Sequence, residues 1–348
     1  MRLACLAALA PLVACANRAP APAAGAVVLH QDGDPGLSGE LVRAGPTLDR
    51  LSHHPADLVV FYGGEEKGSL EPCGCPDQPR GGLARQAAYI SAARAASPDT
   101  PSLVVNGGYW LLDARSLDGS PRADTLAHNR WMTTALQQLG ADALNVAIHD
   151  LGALSMGDRI PDLPLVSAHI EGPGVLPWVI SEQGGLRVGV TGVTTGSTAY
   201  HQLPGYELGH PTRDTRATLA RLRPQVDVIV LLAFGDAAPA RAVAEAGLVD
   251  VVIDTNRHRE RSPPMRIGDA VWVRSFAGTE RLGELRLDLD LDPDRRRVSG
   301  AIDRKIELDS DMADEPDMAA LISAARDDIE AAQRAAFGEV IRAGSPAR

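Results

Sequence analysis

The stretch DLVVFYGGEEKGSLEPCGCPDQPRGGLARQAAYI, residues 57–90, decides the fold of this chain. Its apolar run at residues 58–62 predicts a buried strand, and the glycine pair at 81–82 opens a predicted helix that ends near residue 96. Between them lie a glycine-rich turn carrying Glu65-Glu66-Lys67 and a Cys-Gly-Cys loop. Because α/β folds hold their sites at the carboxyl ends of strands, we expect the chemical centre of the protein here.

The composition is that of a globular protein and does not indicate a nucleic-acid partner. The chain has 348 residues, of which 45% are apolar, which is enough to bury a large core. Its formal net charge of −11 is spread without a long acidic run, and no basic patch is present, so we expect no nucleic-acid polymer as a partner. Lysine occurs only at Lys67 and Lys305, which makes a lysine in the central turn a candidate site residue.

The amino terminus has the pattern of a bacterial lipoprotein signal. A basic start precedes an apolar run at residues 3–13 that is too short to span a bilayer, and Leu12-Val13-Ala14-Cys15 matches the lipoprotein cleavage box. The alternative is a plain secretory signal with an incidental cysteine. We predict a signal peptide at 1–15, a lipidated Cys15 that anchors the chain to a membrane of the bacterial cell envelope, and a tether and lead-in at 16–50; Ala16 after the cysteine favours the outer membrane.

Two cysteines are left for chemistry. Cys5 leaves with the signal and Cys15 carries lipid, so that Cys73 and Cys75 remain as a thiol pair. A disulfide between them would close a very small, strained ring. The pair is therefore a closed disulfide that pins a loop, a redox centre with an unidentified redox partner, or part of a soft-metal site.

Elsewhere, strand and helix patterns alternate along the chain, which predicts parallel strands joined by crossover helices. A short helix is predicted in the lead-in at 37–51, and Gly140 suits the left-handed end of a helix at 124–139. The other predicted elements are strands at 102–106, 143–146, 163–168, 227–232 and 250–253, a hairpin at 178–194, and helices at 212–222 and 238–246.

The last part of the chain alternates polar and apolar residues. Segments 270–275, 282–291 and 298–306 therefore predict antiparallel strands, and a charged helix is predicted at about 315–336. We predict one main domain at 51–310, followed by a carboxyl-terminal helix and tail at 311–348.

Three short motifs support a family resemblance. They are Gly-Gly-Leu-Ala-Arg at 81–85, Gly-Leu-Arg-Val-Gly-Val-Thr-Gly-Val at 185–193 and Val-Asp-Val-Val-Ile at 249–253. Together with the order of elements, they resemble the calcineurin-like metallophosphoesterase domain of bacterial 5′-nucleotidases, in a branch with a Pro-Cys-Gly-Cys loop. The resemblance covers residues 57–308 and implies an αββα fold, a two-sheet β-sandwich flanked by helices, with the site at the strand ends.

The resemblance also implies a centre of two divalent metals held by Asp, Asn and His, which activates water against a phosphate ester. The family motif Asp-x-His-Gly falls on residues 65–68, where Glu65 keeps a carboxylate and Lys67 replaces an imidazole. The aspartate that bridges both metals falls on Tyr109. Gly-Asn-His-Glu falls on residues 147–150, which keeps His149, has Asp150 in place of the glutamate and loses the metal-binding amide.

The last two family motifs are also incomplete. A histidine expected after the strand at 228–232 falls on Ala233, and Gly-His-x-His falls on residues 255–258, with Asn256 at the first imidazole and His258 at the second. Two metals cannot be held by the few remaining ligands, so the metal centre is predicted to be lost.

The prediction is a non-catalytic or metal-independent ligand-binding protein. Lys67, His149, Arg257 and His258 would line one crevice able to hold a phosphate-bearing small molecule or a carboxylate. In one alternative these are ordinary crevice residues. In a second the protein is an active phosphoesterase that uses divalent metal and His149 as a catalytic residue, and in a third it acts through Cys73 and Cys75.

Overall fold

The computed structural model describes residues 27–29, 34, 36–45, 51–52, 54–73, 78–116, 118–157, 162–196, 203–255, 262–292 and 297–343. The predicted signal peptide at 1–15, with Cys5 and Cys15, lies outside these ranges, and so do Ala16, Cys75, Asn256, Arg257 and His258.

Within the described residues the chain forms six α-helices and seventeen strands. The helices are α1 Leu83–Ala96, α2 Ala123–Leu139, α3 Ile148–Leu154, α4 Pro211–Leu222, α5 Ala238–Ala244 and α6 Pro316–Ala343. The first nine strands are β1 Val27–Leu29, β2 Leu37–Arg43, β3 Leu58–Gly63, β4 Ser102–Asn106, β5 Ala143–Asn145, β6 Leu165–Val166, β7 Ile170–Glu171, β8 Val175–Leu176 and β9 Val179–Gln183. The others are β10 Leu186–Thr194, β11 Glu207–Leu208, β12 Val228–Phe234, β13 Val251–Thr255, β14 Met265–Ile267, β15 Ala270–Arg274, β16 Arg281–Asp290 and β17 Arg297–Glu307.

Two large sheets pack face to face. The first has the strand order β1-β2-β17-β16-β3-β4-β5-β6-β8, and the second has β14-β15-β13-β12-β10-β9. A third, small sheet pairs β7 with β11. The side chains of β3 show how the layers form: Leu58, Val60 and Tyr62 enter the core between the sheets, whereas Val59 and Phe61 enter the core under the helices. This is the two-residue period of a strand that is buried on both faces.

Helices cover the outer faces of both sheets. Helices α1, α2, α3 and α6 share a core with the first sheet, and α4 and α5 share one with the second. The layers therefore run helix, sheet, sheet, helix, which confirms the αββα fold expected from the resemblance.

Most elements lie where the sequence placed them. Helix α2 ends at Gly140, whose φ of 71° is left-handed and whose N–H donates to the Gln137 carbonyl, as expected for a glycine cap. The β9–β10 hairpin turns at Gly184-Gly185, where both glycines have positive φ. The strand predicted at 163–168 is reduced to the two residues of β6.

The helix predicted in the lead-in is wrong for its described part. Residues 37–43 form β2, which pairs in parallel with β17 along seven residues and antiparallel with β1. The physical reason is the edge of the first sheet, where β17 would otherwise expose a row of unpaired backbone groups. A partner about 260 residues away cannot be identified from a local pattern.

The predicted strand directions near the carboxyl end are correct in part. Strands β16 and β17 are antiparallel, and β16 is also antiparallel to β3. Residues 270–274 form the predicted strand, β15, but its direction matches the prediction only toward the short β14, because β15 runs parallel to β13. Alternation reports which faces of a strand are buried but carries no information on the direction of its neighbour.

Helix α6 packs back onto the helical layer of the first sheet. Met318, Ile322, Ala325 and Ile329 are buried in that core. The Trp131 indole N–H on α2 donates to Asp328 Oδ2 at 2.8 Å. Among the described residues, no helix has the length and apolarity needed to cross a bilayer.

Candidate functional site

The site forms where β3 and β4 end side by side. These strands are parallel, with Gly63 opposite Asn106, so that the segments after them leave at the same edge of the sheet. We call residues 64–68 and 107–112 the strand-end loops. Backbone hydrogen bonds join them at three points, from the N–H groups of Glu65, Lys67 and Gly68 to the carbonyls of residues 108, 109 and 110, at 2.9–3.0 Å.

Three side-chain-bearing residues in these loops have a left-handed backbone. The φ angles are 55° at Glu65, 53° at Lys67 and 61° at Tyr109, and no other described residue except glycine has a positive φ. Each such residue costs on the order of 1–3 kcal/mol and persists only where its surroundings hold it. The paired loops supply that restraint, and such strain is concentrated at functional sites.

The second sheet contributes through Thr255, the last residue of β13. Its side chain lies between the two strand-end loops: a Cβ added to Gly107 would lie 1.8 Å from Thr255 Oγ1, and one added to Gly64 would lie 2.9 Å from Thr255 Cγ2. Both loops therefore need glycine at the point of contact. The Thr255 hydroxyl is buried, and it makes no hydrogen bond within the described part of the chain.

Aromatic rings meet at the centre of the site. The Tyr109 and His149 rings are stacked, with centroids 3.9 Å apart and planes at 14°. The Phe234 ring lies edge-on to both, at 6.2 Å from Tyr109 and 6.3 Å from His149. We call these three rings the aromatic cluster. Lys67 Nζ lies 5.1 Å from the Tyr109 ring centroid, a cation–π distance.

Phe234 was missed by sequence reasoning, which assigned this site position to Ala233. The Ala233 side chain packs instead in the core shared with α4 and α5. Because neighbouring strand residues point to opposite faces, the next residue, Phe234, reaches the site. The signal in the sequence was the aromatic residue that closes the apolar run of β12.

Glu65 and Lys67 form an ion pair, with Lys67 Nζ 3.1 Å from Glu65 Oε2. The Glu65 side chain is almost fully buried, whereas a third of the Lys67 side chain is exposed. The structure thus brings Lys67 and His149 to the same Tyr109 ring. It also adds a compensating carboxylate that the predicted cationic lining did not include.

A second carboxylate of the strand-end loops, that of Glu66, was not assigned a role from the sequence. Its Oε2 accepts a hydrogen bond from Asn106 Nδ2 at 2.8 Å, and Asn106 Oδ1 accepts from the Gly108 N–H at 2.9 Å. Burial raises the pKa of Glu66 to about 7, against the lowering effect of the Asn106 hydrogen bond. The Glu66–Asn106 pair therefore links the loop after β3 to the loop after β4.

Asp150, predicted as a remnant of a metal-ligand motif, is directed to backbone instead. Its Oδ2 accepts from the N–H groups of Tyr109 at 2.7 Å and Ala147 at 2.9 Å, and its Oδ1 accepts from Leu111 N–H at 2.9 Å. Its side chain is fully buried. Burial raises the pKa of Asp150 to about 7, although these hydrogen bonds oppose the rise.

These donors do not fit a pair of metal ions. The described residues hold no group of three or more His, Cys, Asp or Glu side chains suited to a metal. Glu65 is paired with a lysine, Asp150 is engaged by three backbone N–H groups, and the position of the bridging aspartate carries the Tyr109 ring. A lysine ammonium and a stacked phenol ring supply no ligand of the kind a divalent centre needs.

Of the Cys-Gly-Cys loop at residues 73–75, the structure describes Cys73 only. Cys73 carries a free, exposed thiol, and its Sγ donates to Glu280 Oε1 at 3.3 Å. Desolvation and the Glu280 carboxylate raise the pKa of this thiol. Two backbone hydrogen bonds of 2.9 Å between Cys73 and Arg80 close the loop. A raised pKa disfavours the thiolate that a redox or metal-binding cysteine needs.

Comparison with known proteins finds similarity only at the level of structure. No protein-family model matches the chain. No curated protein matches it. Solved structures do match: the sulfate thiohydrolase SoxB of Thermus thermophilus has a TM-score of 0.64 and 15% identity, and a 5′-nucleotidase precursor from the same species has a TM-score of 0.65 and 17% identity. The calcineurin-like phosphoesterase YfkN from Bacillus subtilis has a TM-score of 0.63 and 14% identity.

The extent of these matches differs between the neighbours. They cover 79%, 79% and 80% of this chain, in the same order. The matched region spans 61% of the SoxB chain and 59% of the nucleotidase chain, but 100% of the YfkN chain. At such low identity the match shows the fold alone. The chain has the fold of the calcineurin-like metallophosphoesterases, and its structural neighbours include 5′-nucleotidases.

Proposed function

We propose that this chain is a ligand-binding protein built on the metallophosphoesterase fold, which works without a binuclear metal centre and does not hydrolyse phosphate esters. The observation that carries the proposal is the aromatic cluster at the strand ends. Tyr109 stacks on His149 and lies under Lys67, at positions where the resemblance calls for metal ligands. The remaining carboxylates are engaged by Lys67 and by backbone.

Backbone strain supports binding over an inert remnant. Glu65, Lys67 and Tyr109 hold left-handed conformations in two adjoining loops. A remnant with no role could replace them with glycine and recover the free energy of the strain. Strain kept in one crevice is typical of sites that hold side chains in a fixed orientation for a ligand.

The ligand we propose is a small molecule with a phosphate or carboxylate group. Lys67 is exposed enough to reach solvent, and His149 shares its aromatic partner. Arg257, Asn256 and His258 follow Thr255 in the sequence and are proposed as further contacts. Two structural neighbours, a 5′-nucleotidase precursor and a calcineurin-like phosphoesterase, support a phosphate-bearing compound.

The setting we propose is the bacterial cell envelope. The lipoprotein box supports removal of residues 1–15 and acylation of Cys15, with residues 16–50 as tether and lead-in and residues 51–310 as the functional domain. The Pro-Cys-Gly-Cys loop supports a place in the branch of the 5′-nucleotidase group that carries this loop.

The test is metal analysis of the mature domain, with Cys15 removed, beside a phosphatase assay in added Mn²⁺, Zn²⁺ or Mg²⁺. The proposal expects no bound metal and no turnover. About two equivalents of metal with turnover would identify a working phosphoesterase and overturn it. About one equivalent, lost in the Cys73→Ser, Cys75→Ser double variant, would move the function to the thiol pair.

A calorimetric titration tests the binding half of the proposal. Inorganic phosphate and AMP are added to the metal-free domain and to a Lys67→Met variant. Binding that is weakened in the variant supports the site. A flat titration with both probes in the wild-type domain would count against a phosphate-bearing ligand.

A further inference from the structure

The Asp150 carboxylate connects the two segments that carry the stacked rings. Tyr109 belongs to the loop after β4, and His149 is the second residue of α3. Asp150 accepts the Tyr109 N–H on one side and the Ala147 N–H, at the start of α3, on the other. Both of these bonds go to the same oxygen, Oδ2.

Each bond fixes one ring. The Tyr109 backbone is left-handed, so its side-chain direction depends on a conformation that the residue does not favour alone. The bonds from Tyr109 and Leu111 to Asp150 hold the loop on both sides of Trp110. The bond from Ala147 sets where α3 begins, and therefore the direction in which His149 leaves the helix.

A capping role alone does not account for this arrangement. A helix cap needs only the local bond to Ala147, three residues back, whereas the bonds to Tyr109 and Leu111 reach across 41 and 39 residues of sequence. Complete burial of a carboxyl group is costly, and a neutral cap at the surface would be cheaper. The geometry serves to join two segments.

We propose that Asp150 is the positioning residue of the Tyr109–His149 stack, and that it sets the relative orientation of the two rings that the proposed ligand site presents. Its importance for binding rests on the proposed function. Its effect on the rings does not, because that effect is carried by hydrogen bonds and a ring contact within the chain.

The experiment records the imidazole proton resonances of His149 by NMR in the full mature domain. A ring stacked at 3.9 Å places these protons in the ring current of Tyr109 and shifts them upfield. The His149→Gln variant assigns the resonances by their loss, and the Tyr109→Leu variant gives their position without the stack. Far-UV circular dichroism checks that each variant is folded.

Asp150→Asn and Asp150→Ala are the test variants. An amide keeps the size of the side chain but cannot accept three N–H bonds as a carboxylate does, because one of its two polar atoms is a donor. The expected result is a downfield shift toward the Tyr109→Leu position, larger in Asp150→Ala than in Asp150→Asn. Asp142→Asn is the matched control, because Asp142 is a partly buried carboxylate that also accepts a backbone N–H, from Val104 at 2.8 Å.

Unchanged His149 resonances in both folded Asp150 variants would overturn the inference, and so would an equal shift in Asp142→Asn. Titration with AMP separates this result from the proposed function. If the stack moves but wild-type protein binds neither AMP nor phosphate, Asp150 still positions the rings and the proposed function fails. If wild-type protein binds AMP and the stack does not depend on Asp150, only the positioning role fails.

Discussion

The Tyr109 ring lies flat on the His149 imidazole, with 3.9 Å between centroids and 14° between planes. This contact joins the loop after β4 to the first turn of α3, two segments that are separated by the whole of α2 and β5. It places two rings at the strand ends, where the family resemblance calls for metal ligands.

The stack should contribute a measurable coupling free energy. Tyr109→Leu and His149→Leu, made singly and together, should give an interaction term of about 1 kcal/mol in the free energy of unfolding, because aromatic pairs add roughly 0.5–1.5 kcal/mol beyond area burial. Urea denaturation measures it. Tyr109→Leu combined with Leu291→Ala, at an exposed residue remote in sequence, should be additive. Additivity in both pairs would show that the rings do not stabilise each other.

At Lys67, relief of backbone strain should make the glycine variant more stable than the alanine variant, which is the reverse of the usual order. Lys67→Gly and Lys67→Ala lose the same ion pair with Glu65, so they differ mainly in backbone preference. With φ at 53°, the glycine variant should have the larger free energy of unfolding, by about 1 kcal/mol.

The matched exchange at Arg334, on the exposed surface of α6, should give the opposite order, because glycine costs about 1 kcal/mol relative to alanine within a helix. Thermal or urea unfolding of the four variants decides the question. If the glycine and alanine variants had the same order of stability at both positions, the inferred backbone strain at Lys67 would be wrong.

Glu66 should make the protein less stable as pH rises toward neutrality. Its pKa is about 7 in the folded chain, against 4.5 for an ordinary glutamate. Between these values the folded state binds a proton that the unfolded state has released, so the free energy of unfolding falls as pH rises from about 4.5 to 7. The contribution is on the order of 3 kcal/mol over this window.

Glu66→Gln should remove that part of the pH dependence, and urea unfolding at pH 5 and pH 7.5 measures it. Asp150, whose pKa is also raised to about 7, should leave a residual slope of the same sign. Glu71→Gln, at a half-exposed carboxylate paired with Arg326, is the control and should leave the wild-type profile. An unaltered slope in Glu66→Gln would contradict the raised pKa.

Removal of one partner of the ion pair that is buried between the sheets should cost much of the free energy of unfolding. Lys305 Nζ lies 3.0 Å from Asp303 Oδ2, and Asp303 Oδ1 accepts from the Tyr62 hydroxyl at 2.5 Å. Both charged side chains are fully buried. Lys305→Met should therefore lower the free energy of unfolding by about 3–5 kcal/mol, because it leaves an uncompensated carboxylate.

The Asp303→Leu, Lys305→Met double variant should be clearly more stable than the sum of the two single losses predicts. The exposed pair Glu330–Arg334 on α6 serves as a comparison, and its loss should cost less than about 1 kcal/mol. Denaturant unfolding measures all of these variants. Additive losses at 303 and 305 would mean that the two charges do not depend on each other.

The Cys73 thiol should react slowly with alkylating agents, and Glu280 should be a cause. Glu280→Gln removes the carboxylate that helps to raise the pKa of this thiol. In a mature domain carrying Cys75→Ser, the variant should react several-fold faster with iodoacetamide at pH 7, because the thiolate is the reactive form. Glu71→Gln is the matched control and should leave the rate unchanged. A rate that is equal or lower in Glu280→Gln would rule out this effect.

Local pattern was enough for many elements. The apolar run that became β3, the hairpin turning at Gly184-Gly185 and the helix stopped by Gly140 all depend on neighbours within a few residues. The residue types Lys67 and Tyr109 are also visible in the sequence, and their side-chain chemistry alone identifies them as poor metal ligands.

Pairing and side-chain direction needed the tertiary structure. Strand β2 joins β17, and β15 runs parallel to β13, through partners that no local pattern names. One residue of strand register decides that Phe234, and not Ala233, enters the site.

The engagement of the two buried carboxylates was equally invisible in the sequence. Whether Asp150 and Glu66 face solvent, metal or backbone depends on where the strand-end loops come together, and the loops are held by bonds across about 40 residues. The sequence by itself determined most of the elements and the residue types at the strand ends, because these follow from short-range periodicity and side-chain chemistry. Only the tertiary structure decided what those residues touch, because their contacts are made between segments that folding brings together.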